Sequence, residues 1–207
     1  SFLFDIKGDL PDDVTSLEIR DGTTAIGCRA LSYEANVTDI SFPDSLKYLG
    51  EHAVYKTGWY ESHPDGWVYA GKVLLGYKGA IPDVNCVLRE DTKAIADYAF
   101  SSDDYLKSIV IPASLEEIGK SAFNSCQELT EVVFEEDSSL RVIHSSAFNY
   151  TSLREFDIPE SVVKIGSDAF SATDIRYIFI PANVLNCDGA FTDMENARSI
   201  EVSPENP

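Results

Sequence analysis

A stretch of eighteen residues recurs along this chain, and its recurrence limits the fold more than any other sequence feature. Residues 106–123 read LKSIVIPASLEEIGKSAF, and residues 153–170 read LREFDIPESVVKIGSDAF. Intervals of 23, 25, 22 and 21 residues separate the phenylalanines that end successive units, namely Phe100, Phe123, Phe148, Phe170 and Phe191. A unit this short cannot bury its apolar side alone, and stacking on its neighbours covers that side. The repetition predicts one solenoid domain over residues 1–207.

Each unit follows the pattern L-x-x-I-x-I-P, then a polar turn, then L-x-x-I-G, then A-F. Ile109 and Ile111 lie two residues apart, so they point to one face of a strand. Pro112 ends that strand because it has no N–H to donate to the ladder. Gly119 is expected to permit a backbone bend that a Cβ would oppose. The pattern predicts a β-rich solenoid with a parallel sheet on one side and short helical or irregular turns on the other.

The register assigns residues 14–54 and 85–207 to repeats. Residues 1–13 do not fit the unit, and the alternation of Phe2, Phe4 and Ile6 predicts a strand that caps the N-terminal edge. The last unit stops just after a strand, within a repeat. We therefore expect the chain to be a piece of a longer array.

The interval from Val54 to Phe100 spans 46 residues, twice the usual period, and its middle departs from the unit pattern. This middle part, residues 55–84, contains both tryptophans and a Pro-Asp-Gly turn signal. The runs WVY (67–69) and VLL (73–75) flank Ala-Gly-Lys and have the composition of two short strands. The segment predicts an aromatic β-hairpin insert that packs on the core of the solenoid.

The charge balance limits the partners. Lys and Arg number 16 and Asp and Glu number 35, which gives a net charge of −19. Nucleic acid and anionic membrane surfaces would repel such a chain. The acidity either keeps an elongated surface soluble or serves a cationic partner or bound Ca²⁺. No run of 18 apolar residues is present, so no membrane insertion is expected, and residues 1–5 lack the features of a signal peptide.

The sequence carries no pattern typical of an enzyme or a cofactor site. The histidines, His52, His63 and His144, are scattered and form no HExxH motif, and neither G-x-S-x-G nor a phosphate-binding glycine loop is present. The four cysteines lie far apart without CxxC spacing, which argues against zinc. They are expected to be mostly buried thiols outside disulfides. We predict no catalytic residue, no metal and no cofactor.

The landmarks I-x-I-P, I-G, A-F and C-x-x-L resemble those of the BspA-like (Treponema pallidum-type) leucine-rich repeat. They stand at Ile109, Ile111 and Pro112, at Ile118 and Gly119, at Ala122 and Phe123, and at Cys126 and Leu129. The resemblance covers nearly everything from about Val14 onward and implies a right-handed leucine-rich repeat solenoid. It departs from the pattern where Gly22 and Arg89 replace the proline and where Thr151 stands near the cysteine position.

The resemblance also implies a function and a location. Proteins with such repeats are typically bacterial, secreted or at the cell surface, and some adhere to host matrix proteins or to other bacteria. The expectation is a non-catalytic extracellular recognition or adhesion module that binds a protein or a glycan. The alternative is a structural spacer that projects another domain and has no ligand of its own.

A binding surface is expected where the strands turn side chains outward, between the core positions. The candidates on this sheet are Val87, Val110, Val133, Glu131, Glu155, Asp157, Tyr177 and Phe179. The three valines would stack as an exposed apolar strip, and the two aromatic residues would lie beside acidic ones. The alternative for the valines is that they only favour the strand.

The aromatic insert is the second candidate. Its residues Trp59, Trp67 and Tyr69 have rings that could stack on sugars or anchor a partner. The alternative is that they pack the hairpin onto the coil beneath it.

Overall fold

The structure, a computed structural model, describes residues 3–4, 10–81 and 86–206, and residues 3–4 through their backbone alone. The elements in chain order are β1 (Leu3–Phe4), β2 (Ser16–Glu18), β3 (Ala25–Ile26), β4 (Asp39–Ser41), β5 (Tyr48–Leu49), α1 (Gly58–Ser62), β6 (Gly66–Ala70), β7 (Val73–Lys78), β8 (Cys86–Val87), β9 (Ala94–Ile95), β10 (Ser108–Ile111), β11 (Glu117–Ile118), β12 (Glu131–Phe134), β13 (Val142–Ile143), β14 (Lys164–Ile165), β15 (Tyr177–Ile180) and β16 (Ser199–Val202). β1 pairs in parallel with β3, whereas Phe2 and Ile6 of the predicted cap lie outside the described residues.

On one side of the solenoid the I-x-I-P segments form parallel strands, as the repeat pattern predicts. They are grouped as β2–β4, as β8–β10–β12 and as β15–β16. In the middle group Val110 pairs with Val87 on one side and with Val133 on the other. Ile109 and Ile111, which flank Val110 in the chain, are fully buried. The strands therefore alternate core and outward side chains, and we call the outward side the sheet face.

A second parallel ladder runs along the L-x-x-I-G segments, where short helical or irregular turns were expected. β9, β11, β13 and β14 pair in that order, and β7 joins at the β9 end. β1, β3 and β5 form a similar ladder nearer the N-terminus. Ile118, Ile143 and Ile165 share one register in the second ladder and are fully buried. Because most of the described coils pair with a neighbour on two sides, the solenoid needs almost no helix.

The glycines that follow these strands serve close packing between coils. Gly119 and Gly166 both have φ angles outside the left-handed region. A Cβ on Gly119 would lie 2.6 Å from the carbonyl carbon of Ala96, and one on Gly166 would overlap the amide nitrogen of Ser145. The expected bend at Gly119 was the wrong reason for the glycine, because the neighbouring backbone is what excludes a side chain.

The turns around A-F use left-handed backbone at two positions four residues apart. Ser121 and Ser125 have φ angles of 53° and 62°, and the same two positions recur in neighbouring turns, at Arg29/Tyr33, His52/Lys56, Tyr98/Ser102, Ser146/Tyr150, Asp168/Ala172 and Gly189/Asp193. The N–H groups of Ser121 and Ser125 donate to the carbonyl oxygens of Ser145 and Asn149 at 3.0 and 2.8 Å. These turns therefore add a third line of backbone hydrogen bonds between coils.

Stacked phenylalanine rings run through the core. Phe100, Phe123, Phe148, Phe170 and Phe191 lie ring to ring at 5.1, 5.1, 5.5 and 5.5 Å, with no interplanar angle above 10°. The middle three are fully buried. Because one ring comes from each coil, the repeat interval of the sequence becomes the stacking interval of the core.

The insert forms α1 and the antiparallel pair β6–β7, which has a bulge between Val68 and Tyr69. Both faces of this pair are covered. One face packs on the N-terminal hydrophobic cluster through Val68, Ala70 and Val73, and the other packs on the C-terminal cluster through Trp67, Tyr69 and Leu74. The pair therefore separates two cores rather than lying on the surface of one.

Candidate functional site

The sheet face carries an exposed apolar strip across β8, β10 and β12. Val87 is 59% exposed and Val133 is 42% exposed, and the half-buried Val110 lies between them. Strand pairing places these three side chains next to one another in one register. The strip is therefore a continuous apolar surface rather than three isolated residues.

A second apolar patch lies on β15. Tyr177 is 60% exposed and Phe179 is 48% exposed, and they pair with Ser199 and Glu201 of β16. Ile178, which lies between them in the chain, is buried and holds the strand on the core. Two adjacent exposed aromatic side chains on a rigid strand have the features of an interaction anchor.

The segment 155–158 lies between the strip and the patch, and there the sheet is interrupted. Glu155 and Asp157 point outward and are exposed, while Phe156 and Ile158 are buried. This segment is not a strand, and within the described residues it pairs with neither β12 nor β15. The exposed carboxylates of Glu131, Glu155 and Asp157 form no ion pair with any described residue. The candidate residues therefore stand around a gap in the sheet.

Large side chains at core positions account for the gap. Phe156 occupies the position of Ile109 and Ile178 in other coils, and Phe134 occupies the position of Ile111. The ring of Phe156 lies 5.6 Å from that of Phe134, and it lies 5.0 and 4.7 Å from the stacked rings of Phe148 and Phe170. Extra volume in a filled core pushes the backbone outward. The segment 155–158 is therefore held away from the strands on either side.

Sequence reasoning placed Glu155 and Asp157 in the outward rows but did not find the gap. The signal was present as Phe134 and Phe156 in adjacent units, at positions where the unit of β10 carries isoleucine. Next to them, residues 135–139 form the turn that makes this unit two residues longer than its predecessor.

Two grooves flank the interrupted segment. The larger, which we call the β12 groove, has a volume of about 1110 Å³ and is lined by residues 130–135, 137–138 and 154–161. The smaller, the β15 groove, has a volume of about 380 Å³ and is lined by residues 155–158, 177–179, Ser199 and Glu201. The charged groups that line the β12 groove are mostly carboxylates, with Arg154 as the basic one.

The aromatic residues of the insert are engaged in packing. Trp59 is 9% exposed, and its ring lies 5.2 Å from that of Phe42. Trp67 packs edge to face on Tyr77 and Phe100 at 5.0 and 6.0 Å. These contacts favour the packing alternative for both tryptophans.

Tyr69 of the insert is held by polar contacts as well. Its hydroxyl lies 3.2 Å from Oγ1 of Thr92 and accepts the N–H of Arg89 at 3.2 Å. The Arg89 guanidinium lies over the Tyr69 ring, 4.4 Å from its centroid. The ring and the hydroxyl therefore both have partners within the chain.

A cavity of about 230 Å³ lies where the insert separates the coils, and a hydrogen-bonded carboxylate lies at its edge. Asp97 accepts the hydroxyl of Tyr48 at 2.6 Å and the backbone N–H of Lys120 at 2.7 Å. Burial and the bond to Asp97 raise the pKa of Tyr48 well above its usual value. Because the two donors, Tyr48 and Lys120, belong to different coils, the hydrogen bonds of Asp97 link those coils.

Among the described residues, no group of three or more His, Cys, Asp or Glu side chains is arranged to hold a metal ion. Cys86 and Cys126 are buried, Cys187 is half-buried and Cys28 is exposed, and none of them forms a disulfide. The one helix of the described ranges has five residues, too few to cross a membrane.

Parallel β-ladders on two sides of the coils, and a core of stacked rings between them, define a leucine-rich repeat solenoid. The model of the BspA type leucine rich repeat region matches residues 11–62 and 83–204 with six copies. The chain belongs to this family, and the stretch between the two matched ranges coincides with β6 and β7 of the insert. Proteins of this repeat family are generally non-enzymatic interaction modules. Among curated proteins, the comparison finds no match.

Solved structures share the fold. A leucine rich cell surface protein from Faecalibacterium prausnitzii has 22% identity and a TM-score of 0.58, over 93% of this chain and 60% of that one. A leucine-rich repeat protein from Eubacterium ventriosum has 22% identity and a TM-score of 0.52, over 59% of this chain and 32% of that one. The T. pallidum leucine rich repeat protein has 25% identity and a TM-score of 0.58, over 66% and 67%. The chain thus spans 60% of the first of these proteins and 32% of the second.

Proposed function

We propose that this chain is a non-catalytic recognition module that acts outside the cell or at its surface and binds a protein through the sheet face. One observation carries the proposal. The sheet face presents two exposed apolar patches, Val87–Val110–Val133 and Tyr177–Phe179, with exposed carboxylates between them. Exposed apolar groups edged by charge are typical of protein-docking surfaces.

The extracellular location rests on the family and on the cell-surface description of the Faecalibacterium prausnitzii protein. A glycan remains the second class of ligand, since Tyr177 and Phe179 present aromatic faces on which a sugar ring would stack. A host matrix protein or the surface of another bacterium is the expected partner.

The proposal is tested by measuring binding to a panel of extracellular matrix proteins and to a glycan array. The double variant Tyr177→Ala/Phe179→Ala removes the aromatic patch and is expected to weaken binding by about 2 kcal/mol or more, as loss of an interface anchor does. Its matched control is Tyr33→Ala/Tyr150→Ala, which removes two exposed rings from the turns around A-F, away from the sheet face. Binding that both double variants weaken equally would contradict the assigned surface, and the absence of any ligand would favour the spacer.

A further inference from the structure

No described residue pairs through its main chain with the segment 155–158. Among the described residues, no backbone N–H or carbonyl of Glu155, Phe156, Asp157 or Ile158 has a backbone hydrogen-bond partner. The last backbone bond before this segment is from the Arg176 N–H to the Arg154 carbonyl, at 3.4 Å. In every other described coil of this sheet the corresponding residues are strands. An unpaired strand edge is a template for pairing with another chain.

The β12 groove lies at two such edges. Consecutive side chains of an extended segment point to opposite faces, so a cavity above or below the sheet touches every second residue. The β12 groove is instead lined by each residue of 131–134 and each residue of 155–158. It therefore lies between β12 and the interrupted segment.

Burial along β12 supports this location. The inward residues Val132 and Phe134 are partly exposed, whereas Ile109 and Ile111, at the same positions of β10, are fully buried. The groove thus opens the core from the side and offers apolar contacts as well as main-chain groups.

The charge around the β12 groove selects the ligand. Its described lining includes one basic residue, Arg154, and six acidic residues, namely Glu131, Glu135, Asp137, Glu155, Asp157 and Glu160. The carboxylate of Glu135 accepts the N–H of Ala113 at 3.1 Å. Such a groove attracts a cationic chain and repels an acidic one.

We propose that the β12 groove binds an extended, basic segment of a partner protein as an added β-strand. Main-chain hydrogen bonds to β12 and to residues 155–158 would supply affinity, and alternate side chains would select sequence. The outward side chains of the added strand would meet Glu131, Glu155 and Asp157, and its inward side chains would meet Val132 and Phe134. The inference rests on the proposed function, since it specifies the kind of partner that the sheet face receives.

The test uses a synthetic probe, the capped peptide Lys-Val-Lys-Val-Lys-Val. Binding is measured by calorimetry, and hydrogen–deuterium exchange locates the protected amides. We expect the peptide to bind, to bind more weakly as salt is raised, and to protect residues 131–134 and 155–158. The matched peptide with methylated backbone nitrogens keeps the charge but not the donors. It is expected to bind about tenfold more weakly, which corresponds to losing one or two net hydrogen bonds.

Charge reversal supplies the protein-side test. Glu155→Lys/Asp157→Lys changes two exposed residues that form no ion pair within the described ranges, so the fold should survive, and circular dichroism checks this. Peptide binding should fall by about a hundredfold. Glu18→Lys/Asp39→Lys is the control, because it places the same charges on outward positions of the β2–β4 sheet.

Three outcomes would overturn the inference. Equal binding of the methylated peptide would show attraction by charge alone. Amides of 155–158 that are already protected in the unbound protein would show that the gap closes by itself. Failure of the peptide to bind, while a matrix protein binds in a manner that depends on Tyr177 and Phe179, would remove strand addition and leave the proposed function standing.

Discussion

Replacing Gly119 with alanine tests whether close backbone packing holds the coils together. The added Cβ would lie 2.6 Å from the Ala96 carbonyl carbon, 2.7 Å from the Asp97 nitrogen and 2.7 Å from the Ile95 oxygen. Carbon atoms in contact are normally about 3.5–4.0 Å apart, so the neighbouring coil must move by about 1 Å. All three atoms belong to the backbone, and no side-chain rotation relieves the contact.

The magnitude follows from two opposing terms. Overpacking of this kind costs about 1–3 kcal/mol, and more where the surroundings cannot move. Alanine also lowers the conformational entropy of the unfolded chain, and this offsets about 0.4–1 kcal/mol of that cost. Because the contacts are with backbone, the overpacking cost lies toward the upper end of its range, and we expect a net loss of about 2 kcal/mol in the free energy of unfolding. The displacement also strains the bond from the Gly119 N–H to the Ile95 carbonyl, which is 2.9 Å long.

The assay is denaturant unfolding followed by tryptophan fluorescence and by far-ultraviolet circular dichroism. Gly166→Ala, whose Cβ would overlap the backbone nitrogen of Ser145, should cost at least as much. Gly50→Ala should cost somewhat less, because a Cβ there would lie 2.7 Å from the Cys28 nitrogen but 3.0 Å from its other two close neighbours, the Gly27 carbonyl carbon and the Cys28 Sγ. Lys120→Ala, at the exposed next position, is the control and should change stability by less than about 0.5 kcal/mol. A Gly119→Ala protein as stable as the wild type would refute the packing argument.

Three further perturbations probe the core and the titratable groups. Phe123→Ala removes a fully buried ring stacked between two others at 5.1 Å and should cost about 3–5 kcal/mol of unfolding free energy. Phe123→Leu should cost clearly less. Equal costs in the denaturant titration would show that the ring has no specific role. A hydrogen bond from Lys47 holds the pKa of Glu116 below the usual value of about 4.3, so its stabilisation is complete above that value and is lost as the pH falls through the depressed folded-state pKa. Glu116→Gln should therefore flatten the acid limb of the stability curve measured by circular dichroism, and an unchanged limb would contradict this. Burial raises the pKa of Cys126 to about 12, whereas Cys28 is exposed. A thiol reagent followed by peptide mapping should therefore label Cys28 in the folded protein and Cys126 only after unfolding. Rapid labelling of Cys126 in the folded state would count against its burial.

Much of the fold follows from local patterns. The spacing of Ile109 and Ile111 predicts which side chains of β10 face the core, and the outward Val110 follows from the same alternation. The phenylalanine interval gives the register of the coils, and Phe123 and Phe148 occupy the same place in adjacent coils. The alternation depends only on neighbours in the chain, and the register depends only on the length of the repeat. Both can therefore be read from the sequence.

The second ladder and the role of Gly119 could not be predicted in this way. Both depend on how closely two coils approach, and the unit pattern does not state that distance. The insert gives a similar case. Its aromatic composition leaves open whether Trp59 and Trp67 face solvent. Contacts from other coils decide the matter, with Phe42 for Trp59 and with Phe100 for Trp67.

The sequence by itself determined the repeat, the inward and outward rows, and the candidate residues Glu155, Asp157, Tyr177 and Phe179 on the sheet face. The tertiary structure alone decided that the sheet is interrupted at residues 155–158, with a groove on each side. The physical reason is that side-chain direction is a local property of extended backbone. Whether adjacent strands pair depends instead on the summed volume of side chains from several coils, here of Phe134 and Phe156 against the stacked rings.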